Sequence, residues 1–288
     1  MSAIDTFFSS IVVVVWGLNF VAVKLGTHVM PPFLLTAMRF TMVAALTVPF
    51  FRVPRKKLGL ILLLSALMGS AHFGLFFYGM KALDAATTAI IIQLTVPFAS
   101  IVAAVVYKER LGRLGVFGMT LAFVGVALLA GEPQRPDPLS IALEVVAAAA
   151  WALSNVVIRK IGPINPLALN GWMGAFAAPQ LIVLSYIFED GQIPALEQAG
   201  WLGWSAVSYT AIASSLIGYS LWYRLIARNP LNKVVPFTLL NPIVGVIGGV
   251  TILGEPLGWH KVVGGLLTIL GVAVIQLLHP PVRGNVDA

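Results

Sequence analysis

Glu109-Arg110-Leu111-Gly112, with Gly118 and Gly125 behind it, returns 146 residues later as Glu255-Pro256-Leu257-Gly258 with Gly264 and Gly271. Working outward, Tyr78, Ala82 and Pro97 return as Tyr223, Ala227 and Pro242, shifted by 145. Trp16, Lys24 and Pro31 return as Trp151, Arg159 and Pro166, shifted by 135. The offset changes only where an insertion is cheap, in the polar stretch 188–198 and at the turn before Glu255. The chain is a duplication with a period near half its length. Soluble repeat arrays have periods of about 20–50 residues, too short to match. A duplicated apolar chain is instead the build of secondary transporters, whose substrate site lies between the halves.

Composition agrees. Hydrophobic residues make up 59% and charged residues 10% of the 288, with a mean hydropathy of +0.94. Soluble domains carry about 25% charged residues, so lipid is the expected solvent and an all-α membrane fold the expected class. The net charge of +7 would suggest nucleic acid in a soluble protein. Here the basic residues lie between apolar runs, so no nucleic-acid partner is expected. The chain has no cysteine, which excludes disulfides, thiol catalysis and Cys-ligated metals. No signal peptide is expected, because no Lys or Arg precedes the first apolar run and that run is long enough to span.

A spanning helix needs about 20 mostly apolar residues. Ten such runs can be read: 6–26, 33–51, 58–80, 85–107, 113–131, 139–158, 167–188, 200–223, 234–253 and 260–278. Breakers such as Met30-Pro31-Pro32, Glu132-Pro133 and Asn229-Pro230 mark the connections. With a cytoplasmic N-terminus, thirteen Lys and Arg fall in inner connections, among them Arg52, Arg55, Lys56, Lys57, Lys108, Arg110 and Arg159. Four fall outside (Lys24, Lys81, Arg135 and Lys261), and Arg39 lies within a span. The positive-inside rule then predicts both termini in the cytoplasm. Ten spans in two halves means five each, and an odd count makes the halves inverted repeats, the geometry of alternating access.

Intramembrane polar residues are costly and point to function. Trp16 and Asn19 share a face of the first span, and Trp151 and Asn155 a face of the sixth. His72 and Phe76 lie one turn apart on the third. A large aromatic beside an amide suits a ring-bearing or amphipathic molecule, with Gln93 as a further candidate. Helix–helix hydrogen bonds and plain packing are the competing explanations for all of these. Arg39 and Glu144 lie at similar depth and can either pair or meet the carboxylate and ammonium of a zwitterion. Pro97 and Pro242 interrupt the fourth and ninth spans and deprive the carbonyls of Gln93 and Thr238 of their donors, as packing kinks or as hinges. Tyr78 and Tyr223 near span ends read as interfacial aromatics. Gly245 and Gly249, with the Gly118/Gly125 and Gly264/Gly271 pairs, read as close-approach residues.

No Walker pattern, H-E-x-x-H, G-x-S-x-G or pair of membrane aspartates occurs, so neither ATP-driven transport nor intramembrane catalysis is expected. No cofactor or metal is expected either.

Together these residues resemble the drug/metabolite transporter superfamily, and within it the ten-helix EamA-type members. Trp16-Gly17-Leu18-Asn19-Phe20, Lys24, Pro31-Pro32 and Arg39-Phe40 look like that family's opening helices. Pro97 with Glu109-Arg110-Leu111 and Gly118, then Pro242 with Gly254-Glu255-Pro256-Leu257 and Gly264, look like its repeated closing helices. Chain length and the positions of His72 and the tryptophans are most similar to YddG-type exporters of aromatic amino acids. The resemblance implies two EamA repeats, 1–132 and 137–279, and a multi-pass exporter of the bacterial inner membrane. It implies a central cavity lined by both repeats and a carrier that works as a monomer on a small molecule. Members of the superfamily export amino acids, nucleobases, sugars and drugs, so those substrates stand as alternatives. No acidic residue stands at the midplane, which argues against tight proton coupling and leaves facilitated diffusion or weak coupling.

Overall fold

The structure, a computed structural model, describes residues 1–109, 112–131, 136–229 and 231–278, with the backbone alone at 223, 227, 231, 232 and 278. Arg110, Leu111, the Glu132-Pro133 connection, Arg135, Pro230, His279 and Arg283 lie outside the described residues, as do the side chains of Tyr223 and Ala227. Each of the ten expected spans falls on a helix. They are α1 (Ala3–Val29), α2 (Pro32–Thr47), α3 (Arg55–Ala82), α4 (Ala85–Val106), α5 (Arg113–Ala130), α6 (Pro138–Ile161), α7 (Pro166–Phe188), α8 (200–228), α9 (Val235–Leu253) and α10 (Trp259–Leu277). Eight of them are long and apolar enough to cross a membrane.

The other two are α2 and α8. The helix of α2 is only sixteen residues, ending at Thr47 rather than at 51, and the basic run Arg55–Lys57 forms the first turn of α3. The α8 helix is long, but its serines, Tyr209 and Thr210 dilute its hydropathy. Thr210, Ser214 and Ser215 are buried, so these hydroxyls serve the inside of the bundle. The inserted stretch after α7 forms a short helix, Gln192–Gln198, and the Glu189 carboxylate before it accepts hydrogen bonds from the Phe33 and Leu34 N–H groups at the start of α2.

Four helices leave α geometry at repeat-related places. The α3 helix widens to a π-helix over Ser65–Gly74, and α8 does so over Tyr209–Gly218. The α4 helix tightens to a 3-10 turn over Ile92–Leu94, and α9 over Val235–Leu240. This changes the expected role of the prolines. Pro97 and Pro242 stand in the first turn of the α segments Thr95–Val106 and Asn241–Leu253, where a missing N–H costs little. The Thr238 carbonyl is not stranded, because the Asn241 N–H takes it; the Thr95 N–H likewise points at the carbonyls of Ile92 and Gln93.

Packing follows the duplication. The α2 helix lies along α7 and α5 along α10, each pair related to itself by the repeat. The contact of α1 with α9 matches that of α6 with α4, and α3 with α6 matches α8 with α1. At the α5–α10 seam a Cβ on Gly118 would lie 2.7 Å from the Gly271 carbonyl oxygen, and one on Gly264 2.7 Å from that of Gly125. The four repeated glycines therefore face one another across backbones in contact. The halves are inverted in fact: Glu255, just after α9, meets the start of α4, whereas its counterpart Glu109 follows the end of α4.

Candidate functional site

A cavity of about 410 Å³ lies between the two halves. All seven residues expected at a substrate site line it: Trp16, Asn19, His72, Phe76, Gln93, Trp151 and Asn155. The π segment of α3 carries His72 toward α6, where its Nδ1 lies 2.9 Å from the Ala147 carbonyl oxygen. A carbonyl only accepts, so Nδ1 holds the proton, and in the neutral ring Nε2 is left as an acceptor. The imidazole stacks parallel to Phe76 at 6.0 Å and tilts against Trp151 at 4.8 Å. His72 is thus both a satisfied packing residue and part of the wall.

The π segment of α8 supplies the opposite kind of group. Widening a helix displaces its carbonyls from their usual partners, and three of them are taken by side chains. Trp16 Nε1 donates to the Ser214 carbonyl at 3.2 Å, and Asn170 Nδ2 to the Ser215 carbonyl at 3.2 Å. Ser215 Oγ donates to the Thr210 carbonyl and accepts from Arg39 Nε at 3.0 Å.

Arg39 also lines the cavity, with its guanidinium 4.2 Å from the Phe73 ring centroid and Phe40 and Phe77 beyond. Cation–π contact and the Ser215 hydroxyl help to hold this charge. The expected alternative, an ion pair with Glu144, is not formed. Glu144 is fully buried on the face of α6 that carries Trp151 and Asn155, about two turns nearer the helix start, and packs at Gly79 of α3. The expected common depth does not hold: Arg39 lies over Phe73 and Glu144 against Gly79, at different levels of α3. Tyr78 stacks on Phe33 at 5.1 Å, so it is half-buried packing rather than a simple belt residue.

Sequence reasoning missed part of the wall: Phe73, Thr95, Tyr219, Trp222, Asn241 and Gln276. Asn241 was hidden by the attention Pro242 draws. Gln276 is an amide in an otherwise apolar span, a signal that the cost of buried polar groups makes legible.

The two ends of the bundle differ. At one end Glu255 accepts from the Ala85 and Ala86 N–H groups at 2.6 and 2.9 Å, capping α4. Lys24 Nζ donates to the carbonyls of Met80, Lys81 and Leu83, capping α3. Lys261 pairs with Asp84 in the same corner. At the other end the counterparts of Glu255 and Lys24, Glu109 and Arg159, stand apart, and Asn229 and Gly115 occupy the positions that match Asp84 and Lys261. Arg159 lies over the Tyr107 ring at 4.3 Å. The Glu109 carboxylate makes no hydrogen bond or ion pair among the described residues, and it borders a cleft of about 240 Å³ with Tyr107, Asn155 and Arg159. Asn155 lines both the cleft and the cavity, so the cavity continues toward the Glu109 end.

A helical membrane bundle with inverted halves, a cavity between them and one end latched is the build of a small-molecule carrier. The profile of the EamA-like transporter family matches the chain twice, over residues 6–131 and 139–277. The chain belongs to that family. It is 30% identical over 284 residues to a "Probable amino-acid metabolite efflux pump" of Salmonella typhimurium, covering 95% of each chain. It is 29% identical over the same length to the protein of that name in Escherichia coli, and 24% identical to the uncharacterized transporter YoaV of Bacillus subtilis, over 91% of this chain and 92% of that one. A solved crystal structure superposes with a TM-score of 0.66 at 19% identity, over 96% of this chain and 98% of that one. That likeness bears on the fold alone.

Proposed function

We propose that this protein exports amino acids with aromatic or other amphipathic side chains across a bacterial inner membrane by alternating access. The observation that carries it is the cavity, where Trp16 and Trp151, His72 and Phe76, and the amides of Asn19 and Asn155 converge from both repeats. Tryptophan and imidazole rings offer stacking area and the polar groups orient the ligand. The relatives named as amino-acid metabolite efflux pumps support the direction and the class.

The basic residues support an orientation with both termini and the Glu109 end in the cytoplasm. On that reading the structure is open to the cytoplasm and latched outside. Transport then exchanges the two ends: Glu255 and Lys24 release α4 and α3, while Glu109 and Arg159 take the start of α9 and the end of α8. The 3-10 turns before Pro97 and Pro242 are the hinge points, since such turns recur at functional bends. Exchange of radiolabelled phenylalanine in proteoliposomes, competed with unlabelled compounds, tests the reading. Tryptophan and tyrosine are expected to compete, uracil and glucose not. Competition by uracil with none by aromatic amino acids would replace this substrate class with nucleobases.

A further inference from the structure

Among the described residues, seven buried side-chain polar atoms lack a partner, and four of them belong to residues that line the cavity. Three are acceptors of one type: Asn19 Oδ1 on α1, Asn241 Oδ1 on α9 and Gln276 Oε1 on α10. The fourth is a donor, Arg39 Nη1, on α2. Unmet buried groups are costly, so finding them concentrated around one cavity calls for an explanation. The amides come from α1, α9 and α10. A backbone contact brings two of their helices together, since a Cβ on Gly17 would lie 3.1 Å from the Asn241 carbonyl oxygen. The guanidinium comes from a different part, between Phe73 of α3 and Ser215 of α8. Among the described residues no carboxylate lines the cavity, so neutral oxygens are what it offers to a positive ligand group.

We propose that Asn19, Asn241 and Gln276 form an ammonium-binding pole and Arg39 a carboxylate-binding pole, so that the carrier selects zwitterions over amines and acids of the same shape. This rests on the amino-acid reading above and sharpens it. A protonated amine has three N–H donors, matching three amide oxygens. A carboxylate accepts from the guanidinium and neutralises the one permanent charge on the cavity wall. Rotation about the terminal side-chain torsion, a broad and soft one in Asn and Gln, turns each oxygen from its dry position to the ligand. A buried carboxylate in place of the amides would trap a cation; neutral oxygens bind it and let it go, as a carrier requires.

The test is ligand binding to the purified protein in detergent, read by quenching of Trp16, Trp151 and Trp222, which line the cavity. Phenylalanine, phenethylamine and 3-phenylpropionate share one ring and differ in charge. Each lost charged hydrogen bond is worth about tenfold or more in affinity. The wild type is expected to bind phenylalanine at least about tenfold more tightly than either analogue. The double variant Asn241→Leu/Gln276→Met is expected to weaken phenylalanine and phenethylamine by that factor and leave 3-phenylpropionate unchanged, which also shows that the variant is folded. Arg39→Gln is expected to do the reverse, sparing phenethylamine.

Equal weakening of all three ligands in the amide variant would reduce these residues to shaping the wall. That overturns the inference while the amino-acid reading stands. A requirement for sodium in place of N-methylglucamine would assign the oxygens to a metal cation and overturn it as well. Failure of all three ligands in the wild type, with binding of uracil, would remove both the inference and the amino-acid reading beneath it.

Discussion

The Glu255 end and the Glu109 end of this bundle share a repeated glutamate and a repeated basic residue, yet only one of them is closed. At the first, a carboxylate caps α4, an ammonium caps α3, and Lys261 pairs with Asp84. At the second, Glu109 and Arg159 border a cleft instead. The packing of α1 against the junction of α3 and α4 is close, and among the described residues its repeat counterpart, α6 against the junction of α8 and α9, is nearly absent. The repeated glutamate and basic residue are satisfied at one end and idle at the other, whereas the Lys261–Asp84 pair belongs to the closed end alone, since Gly115 and Asn229 stand at the matching positions.

The largest effect is expected from breaking the closed end. Glu255→Ala removes two buried, charge-assisted caps and is expected to cost about 2–4 kcal/mol of closed-state stability. The native chain has no cysteine, so maleimide labelling of a Leu83→Cys reporter, 1% exposed here, reads the opening directly. Labelling no faster with Glu255→Ala than without it would show that the caps do not hold this end shut.

Lys24→Met keeps the aliphatic stem and removes the donor to three carbonyls. About 1–2 kcal/mol is expected, seen as faster labelling at the same reporter and a lower melting temperature. An unchanged rate would show that the Lys24 caps do not help hold this end shut.

The backbone supplies a finer comparison. The turn after each latch helix passes through positive φ, at Gly254 (+70°) in one repeat and at Lys108 (+55°) in the other. Glycine adopts that conformation freely and lysine does not. Lys108→Gly is expected to stabilise by about 0.5–1 kcal/mol and Gly254→Ala to destabilise by about 1 kcal/mol. Thermal unfolding of both variants checks the pair, and a shift of the same sign in both would contradict the strain argument.

The smallest equilibrium effect is expected at the open end. Glu109→Gln and Arg159→Met are expected to change stability by less than about 0.5 kcal/mol, because these groups close nothing in this state. Their cost is expected in exchange rate, where the other state needs them. Loss of stability comparable to Glu255→Ala would mean that the two ends are equally latched and would undo the comparison.

Much of this site was legible beforehand, and the reasons are local. Trp16 and Asn19 share a face because they lie three residues apart on one helix; the repeat then places Trp151 and Asn155 by symmetry. Arg39 and Glu144 show where that logic stops. Position along one helix follows from counting at 1.5 Å per residue, but the offset between two helices depends on how they pack. That offset left Arg39 at the cavity, over Phe73, and Glu144 against Gly79, on the same face of α6 as Trp151 but beyond the cavity lining. The π segments were also unreadable, because their spacing differs from α by one residue per turn and leaves no mark in composition.

The sequence by itself determined the ten helices, their division into two inverted halves and the residues with enough polarity to matter in an apolar bundle. Hydropathy, repeat offset and an odd number of spans are properties of the chain alone. Only the tertiary structure decided that α2 pairs with α7 and α5 with α10, that Asn241 and Gln276 join the cavity, and that the Glu255 end is the closed one. The physical reason is that closure is a sum of contacts between the halves. The repeated Glu255/Glu109 and Lys24/Arg159 favour neither end, and the residues that do differ, Asp84 and Lys261 against Asn229 and Gly115, count only where packing brings them together.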